Sequence, residues 1–344
     1  MHLASRTRAW TLGLLVCMSL AACGGDGQDG ALPSGGATDP VTARGPDVEP
    51  VTLTVTSEQD TYTLGDPIEL TVRVTNQSGR TLRLGVPRVG SDSFTLRVRQ
   101  GAARATVERI HQVVDIKRQA FVDVPNDVKK VDDGDSFETI ITTSALIPGD
   151  QVWTPQYRWQ GGFGIVTATP LKLRVTAPAG KALGARIDTN QGELLVRLRP
   201  DVAYNTVESF VSLARAEFYD GLAFHRIVRS FMAQGGDPKG DGSGGPGYFL
   251  PLEAHTHLLH DRGVLSMARM SPPDTAGSQF FLMFTRRPDL DPGAMGKGYT
   301  TFGQVIEGDP VLDRIEELGW EQDGRPPREP VEIKTLRVEL VPAK

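Results

Sequence analysis

Between Val51 and Val175 apolar side chains recur at every second position: Leu53 and Val55, then Ile68, Leu70, Val72 and Val74, then Phe94, Leu96 and Val98, and finally Leu171, Leu173 and Val175. A period of two places such residues on one face of an extended strand and leaves the intervening ones to water, so half-buried strands are expected here. Turn sequences separate the runs, among them Gly65-Asp66-Pro67, Asn76-Gln77-Ser78-Gly79 and Asp132-Asp133-Gly134-Asp135. Several short strands at this spacing predict a β-sandwich over residues 51–177. The chain's 38 glycines and 24 prolines argue against an all-helical protein, since both residues interrupt helices.

A chain of 344 residues is long enough for two folded domains. Its only cysteines, Cys17 and Cys23, fall at the N-terminal end, so the folded parts can hold no disulfide framework, zinc–thiolate site or cysteine nucleophile. Arg6 and Arg8 precede a largely apolar run from Trp10 to Leu20, which is too short to span a bilayer, and then Leu20-Ala21-Ala22-Cys23. That order is expected of a signal peptide over residues 1–22. The final four residues resemble a bacterial lipobox, which implies cleavage before Cys23, acylation of that residue and export on a lipid anchor. Gly24 after Cys23 resembles lipoproteins of an outer membrane, on the periplasmic side. From Gly24 to Pro50 glycine and proline dominate and large apolar residues are scarce, so residues 23–50 read as a flexible tether. As a random coil it would reach on the order of 30 Å.

The net charge of -5 makes nucleic acid an improbable partner, more so once Arg6 and Arg8 are removed. No feature calls for an oligomer, and a monomer is expected. His111 stands alone in the first domain, where no catalytic constellation is found, and reads as a surface or packed histidine. The segment Tyr62 to Asn76 resembles the opening hairpin of immunoglobulin-like bacterial surface domains, including a type found in a bacterial proteinase inhibitor.

After a linker at Ala177-Pro178-Ala179-Gly180-Lys181 the pattern turns to mixed α and β. Ala185–Asp188 and Glu193–Leu198 read as a hairpin around Thr189-Asn190-Gln191-Gly192. Asn205 with Glu208 has the spacing of a capping box, and Val207, Phe210, Val211 and Ala214 form one helical face. Asp309 as cap and Pro310 as first helical residue announce a second helix with Val311, Leu312, Ile315 and Leu318 apolar.

Four blocks in this half carry the chemistry: Phe224-His225-Arg226-Ile227-Val228-Arg229-Ser230-Phe231-Met232-Ala233-Gln234-Gly235-Gly236-Asp237, then Gly263 to Arg269, Gly277 to Leu282 and Thr301 to Val305. Together, in this order, they resemble the cyclophilin-type peptidyl-prolyl cis/trans isomerases over residues 183–341. The resemblance implies an eight-stranded closed antiparallel β-barrel capped by two helices, so the whole chain is expected to be mainly β. It also implies proline-containing polypeptides as partners and no cofactor.

Rotation about an X–Pro bond meets a barrier of about 18–20 kcal/mol because the nitrogen lone pair is delocalised into the carbonyl. A fixed cationic donor aimed at that nitrogen lowers the barrier only in the twisted state, which is what speeds the step. The resemblance assigns this role to Arg226, whose guanidinium stays charged and needs no general base. It places Gln234 and Gln279 as polar supports, and Phe231, Met232, Phe281 and Leu290 as the apolar grip on the proline ring. Ala268 matches a backbone contact, and His225 and Tyr299 fall at the margin.

Some positions depart from the family pattern. Asp289 precedes Leu290 where many eukaryotic members carry a tryptophan important for cyclosporin, Arg269 replaces a small amide, and residues 291–298 are longer than the usual turn. The glycine-rich stretch Gly235–Gly247 lacks the Gly-Lys-Ser/Thr of a phosphate cradle, and Asp237, Lys239 and Asp241 do not complete a calcium loop. His255, His257 and His260 lie close in sequence, but no cysteine joins them, and no metal is expected. Two other readings compete with an enzyme: a proline-binding adaptor without turnover, and a proteinase inhibitor built on the sandwich.

Overall fold

A computed structural model of the chain describes residues 50–88, 93–100, 103–107, 112–115, 120–123, 128–159, 165–293 and 298–343. The signal peptide, Cys23, nearly all of the tether, His111 and part of the 291–298 stretch lie outside the described residues.

In the first half the alternating runs form two sheets. Val51–Ser57, Pro67–Asn76 and Ser136–Ser144 make an antiparallel three-stranded sheet with Pro67–Asn76 at its centre. A second sheet runs through Thr61–Thr63, Leu171–Thr176, Gly149–Arg158, Phe94–Gln100 and Ala103–Val107, with Ile165–Thr167 also paired to Gly149–Arg158. Its Thr61–Thr63 strand lies parallel to Leu171–Thr176, the other pairings being antiparallel. Ile68, Leu70, Val72 and Val74 of the first sheet and Leu96, Val98, Trp153 and Tyr157 of the second share one buried core. Two of its aromatics have their polar tips satisfied: Trp153 Nε1 donates to Gln151 at 2.7 Å and the Tyr157 hydroxyl to the Gly85 carbonyl at 2.9 Å.

The second half is an eight-stranded sheet. Its order is Arg226–Val228, Met232–Gly235, Phe280–Met283, Val264–Met267, Thr301–Glu307, Gly192–Leu198, Lys181–Thr189, Ile333–Pro342. The expected closed barrel is not present as a continuous ladder. The segments ahead of the two edge strands meet instead, through a single bridge between Ala223 and Glu332 and the bonds Phe224 N to Val331 O and Ile333 N to Leu222 O, both 2.8 Å. The reason is local: Pro326, Pro327 and Pro330 bring no N–H to this edge, and the Arg226–Val228 strand is only three residues long.

Helix α1, Tyr204–Arg215, buries Val207, Phe210, Val211 and Ala214, the face that the periodicity predicts. Its start differs from the capping box expected. Asn205 already lies inside the helix and Ala203 caps it without a side-chain bond. The free amides of the first turn are met from far along the chain by Glu253, whose carboxylate accepts from Asn205 N at 2.9 Å and Thr206 N at 2.8 Å. A carboxylate there also suits the positive end of the helix dipole. Helix α2, Asp309–Glu317, is capped by Gly308 and not by Asp309. Gly308 holds φ at 109°, and a Cβ there would sit 2.6 Å from the Glu193 carbonyl, so only glycine fits. Both helices pack on a core in which Phe210, Tyr219, Phe224, Phe280 and Phe302 meet at centroid distances of 5.2–6.0 Å. Arg215, the last residue of α1, donates to the Ser144 hydroxyl at 2.6 Å and to the Gly65 carbonyl, tying the helix to the first pair of sheets.

Candidate functional site

Alternation along four neighbouring strands creates two apolar regions. Ile227, Ala233, Leu265 and the side chains of Phe280 and Leu282 point into the main core. The opposite face carries Val228, Met232, Val264, Phe281 and Met283, which form a second, smaller buried cluster. Register fixes their neighbours: Arg226 lies opposite Gln234, Val228 opposite Met232, Gln234 opposite Phe281 and Met232 opposite Met283. Directly opposed residues share a face, so the guanidinium and the amide of Gln234 stand beside this cluster. Phe231, Leu258, Ala268, Leu290 and Tyr299 are partly buried around it.

The polar side is a chain of directed bonds. Arg226 Nη1 donates to Gln234 Oε1 at 3.0 Å, Gln234 Nε2 donates to Gln279 Oε1 at 2.9 Å, and Gln279 Nε2 donates to the Gly242 and Gly244 carbonyls, each at 2.9 Å. Both amides are thereby fixed in orientation. Asp323 accepts from Arg226 Nε at 2.8 Å and also from Nη2. The Arg226 pairing holds the Asp323 carboxyl below the usual carboxylate range. The Phe231 ring lies 5.9 Å from the Arg226 guanidinium and 4.3 Å from that of Arg287.

The remaining expected residues fall around this centre. Phe281 and Tyr299 meet edge to face at 5.9 Å, and Arg269 stacks on Tyr299 at 4.4 Å while donating to the Gly298, Met270 and Ser271 carbonyls. Arg269 therefore braces the rim. Ala268 gives its amide to the Gln279 carbonyl at 3.0 Å. Among the described residues His225 joins neither the apolar cluster nor the amide chain. It sits half-buried with Asp237 and Asp241 as its charged neighbours besides Arg226, and burial draws its imidazole below the usual range. Asp237 itself turns the glycine-rich loop by accepting from Lys239 N at 2.8 Å and Gly242 N at 2.5 Å.

The three histidines separate. His255 and His257 stack at 6.0 Å near the surface, whereas His260 is fully buried behind the cluster. Its ring lies parallel to Phe281 at 6.1 Å; Nδ1 lies 2.9 Å from an Asp291 carboxylate oxygen and Nε2 2.9 Å from the Ser266 hydroxyl oxygen, whose own proton goes to the Thr300 carbonyl at 3.1 Å. Burial, partly countered by Asp291, lowers its pKa from 6.5. The sign follows: below 6.5 the unfolded chain takes up a proton that the folded chain resists, so stability is full above that value and falls as pH drops through it. Urea midpoints are expected to decline from pH 7 toward pH 5.5, with a shallower decline in His260→Gln. An NMR titration should show the His260 ring protonating at lower pH than a model imidazole, and a flat profile of midpoints would contradict this.

The sequence reading missed Val228, Val264 and Met283, which strand alternation could have found. It also missed Asp323 and Asp291, for which no local signal exists, because each acts on a residue far away in the chain.

A family model described as cyclophilin type peptidyl-prolyl cis-trans isomerase/CLD matches residues 185–338. The peptidyl-prolyl cis-trans isomerase of Helicobacter pylori is 45% identical over 140 residues, which is 40% of this chain and 82% of that protein. Peptidyl-prolyl cis-trans isomerase A of Mycobacterium tuberculosis is 34% identical over 171 residues, 45% of this chain and 91% of that protein. Isomerase-like 2 of Rhizopus delemar is 41% identical over 162 residues, and the chain spans only 29% of its length. A crystal structure of a cyclophilin type isomerase of Cryptosporidium parvum, determined in the presence of the dipeptide Ala-Pro, is 33% identical, with a TM-score of 0.42 over 45% of this chain and 98% of that one.

Proposed function

Because the chain belongs to the cyclophilin-type peptidyl-prolyl cis/trans isomerases, we propose that residues 185–338 rotate X–Pro peptide bonds in polypeptide clients. One observation carries this reading: a guanidinium, oriented by an amide on one side and a carboxylate on the other, stands at the edge of an apolar cluster that main-core packing does not use. A proline ring on Met232 and Phe281, bordered by Phe231, Leu290 and Tyr299, would bring its nitrogen toward Arg226. As the bond twists, the nitrogen lone pair becomes a hydrogen-bond acceptor, and Arg226 stabilises that state more than the planar one. Gln234 and Gln279 would steer the client backbone, Ala268 would border the residue before proline, and His225 would stay at the margin. Lowering the barrier by about 6 kcal/mol would give about 10⁴ in rate.

The N-terminal features extend the proposal. We read residues 1–22 as a signal peptide, Cys23 as the acylated residue and residues 23–50 as a tether, supported by Arg6, Arg8 and Leu20-Ala21-Ala22-Cys23. More than one acyl chain would give stable anchoring. Among the described residues no helix is long and apolar enough to cross a membrane. The two larger sheets of residues 51–177 suit an immunoglobulin-like spacer or client-binding module. The eight strands of residues 183–341 suit a barrel closed through the Ala223–Glu332 bridge. The enzyme would then act as a monomer on exported proteins, on the periplasmic side of an outer membrane.

Refolding of a protein whose slow phase is limited by proline isomerisation tests this reading. Catalytic amounts of the full chain should accelerate that phase, whereas acceleration only at stoichiometric amounts would favour a proline-binding adaptor.

A further inference from the structure

We propose that Asp323 is a positioning residue that sets the reactive orientation of Arg226, an inference that rests on the isomerase reading above. A guanidinium has five N–H groups in a rigid plane. Two of them, on Nε and Nη2, point to the two oxygens of Asp323, and one on Nη1 points to Gln234. That leaves one N–H on each Nη for a client, with the plane fixed from both ends. Without Asp323 only one bond to Gln234 would hold the group, and it could swing about that contact.

The carboxylate reaches this place through the segment that follows α2. A Cβ on Gly319 would lie 2.8 Å from the Ile227 side chain and 3.0 Å from its carbonyl, so glycine lets the chain approach the Arg226–Val228 strand. Trp320 then bridges Val228, and the Trp320 carbonyl accepts from Arg229 N at 3.0 Å. Its indole N–H donates to the Pro326 carbonyl at 2.8 Å, and Arg328 stacks on the ring at 4.4 Å, which closes the turn. Gly324, at φ 89°, donates its amide to Asp323 Oδ1 at 2.8 Å.

Fold stability does not account for the pair. The side chains are 35% and 52% exposed, and an ion pair in contact with water contributes little to folding. Orientation of the cation is what it can supply.

The test uses the full chain with Asp323→Ala and Asp323→Glu, a proline-peptide assay, and NMR detection of the Arg226 Nε–H signal. Asp323→Ala is expected to lower kcat about tenfold, leave KM within about twofold and the melting temperature within a few degrees, and abolish protection of the Nε–H against exchange. Asp323→Glu should restore part of kcat and of that protection. Unchanged or increased kcat in Asp323→Ala, or a rise confined to KM, would overturn the inference while leaving the isomerase reading intact. A wild-type chain without turnover would overturn both.

Discussion

Replacing Arg226 by alanine is expected to lower kcat/KM for X–Pro rotation by about 10²–10³-fold, the loss typical when one donor aimed at developing charge is removed. That corresponds to about 3–4 kcal/mol of transition-state stabilisation. The fold should tolerate the change. Arg226 and Asp323 are both in contact with water, so the carboxylate left behind is not a buried unpaired charge. Initial rates in a proline-peptide assay, beside a melting curve, separate the two effects. Arg226→Lys should fall between the wild type and alanine, because an ammonium cannot satisfy both oxygens of Asp323 and Gln234 from one plane. Equal activity in Arg226→Ala and the wild type would remove this residue from the mechanism.

Phe280 and Phe281 are neighbours in sequence with opposite duties. Phe280 is fully buried and its ring packs edge-on against Phe210, Tyr219 and Phe224 at 5.7–6.0 Å. Phe280→Ala is expected to cost about 3–5 kcal/mol, since the surrounding rings can close only part of the cavity. For a folded unit of this size that lowers the melting temperature by about 10 °C. Phe281 sits in the smaller cluster beneath Tyr299, so Phe281→Ala should cost less stability and raise KM about tenfold through loss of the proline ring's apolar contact. Calorimetry on both variants with peptide kinetics checks the contrast, and the reverse pattern would contradict the assignment of faces.

The legible part of this structure was local. Alternation at Ile68, Leu70, Val72 and Val74 is an intrinsic property of a strand with one wet face, and all four are fully buried as that pattern requires. The face of Val207, Phe210, Val211 and Ala214 follows in the same way from the helical period. Arg226, Gln234, Phe231, Met232, Gln279 and Phe281 could be singled out because they occur in ordered blocks, and hairpin register brings most of them together. What stayed hidden depends on tertiary approach. Glu253 caps α1 from 47 and 48 residues away, which displaces the local Asn205 and Glu208 box. Asp323 reaches Arg226 across 97 residues, and His260 leaves its neighbouring histidines because Asp291 and Ser266 offer a buried pair of partners. The contact between the edge strands is reduced to a single bridge because prolines on one edge remove the donors a ladder needs.

Exchange NMR on a short proline peptide tests the central claim most directly, using the full chain at substoichiometric concentration. The account predicts cis–trans exchange cross-peaks at rates far above the uncatalysed tens-to-hundreds-of-seconds scale, with those peaks lost in Arg226→Ala. Peptide shifts that report binding to a folded wild-type chain, with no exchange between the isomers, would contradict it.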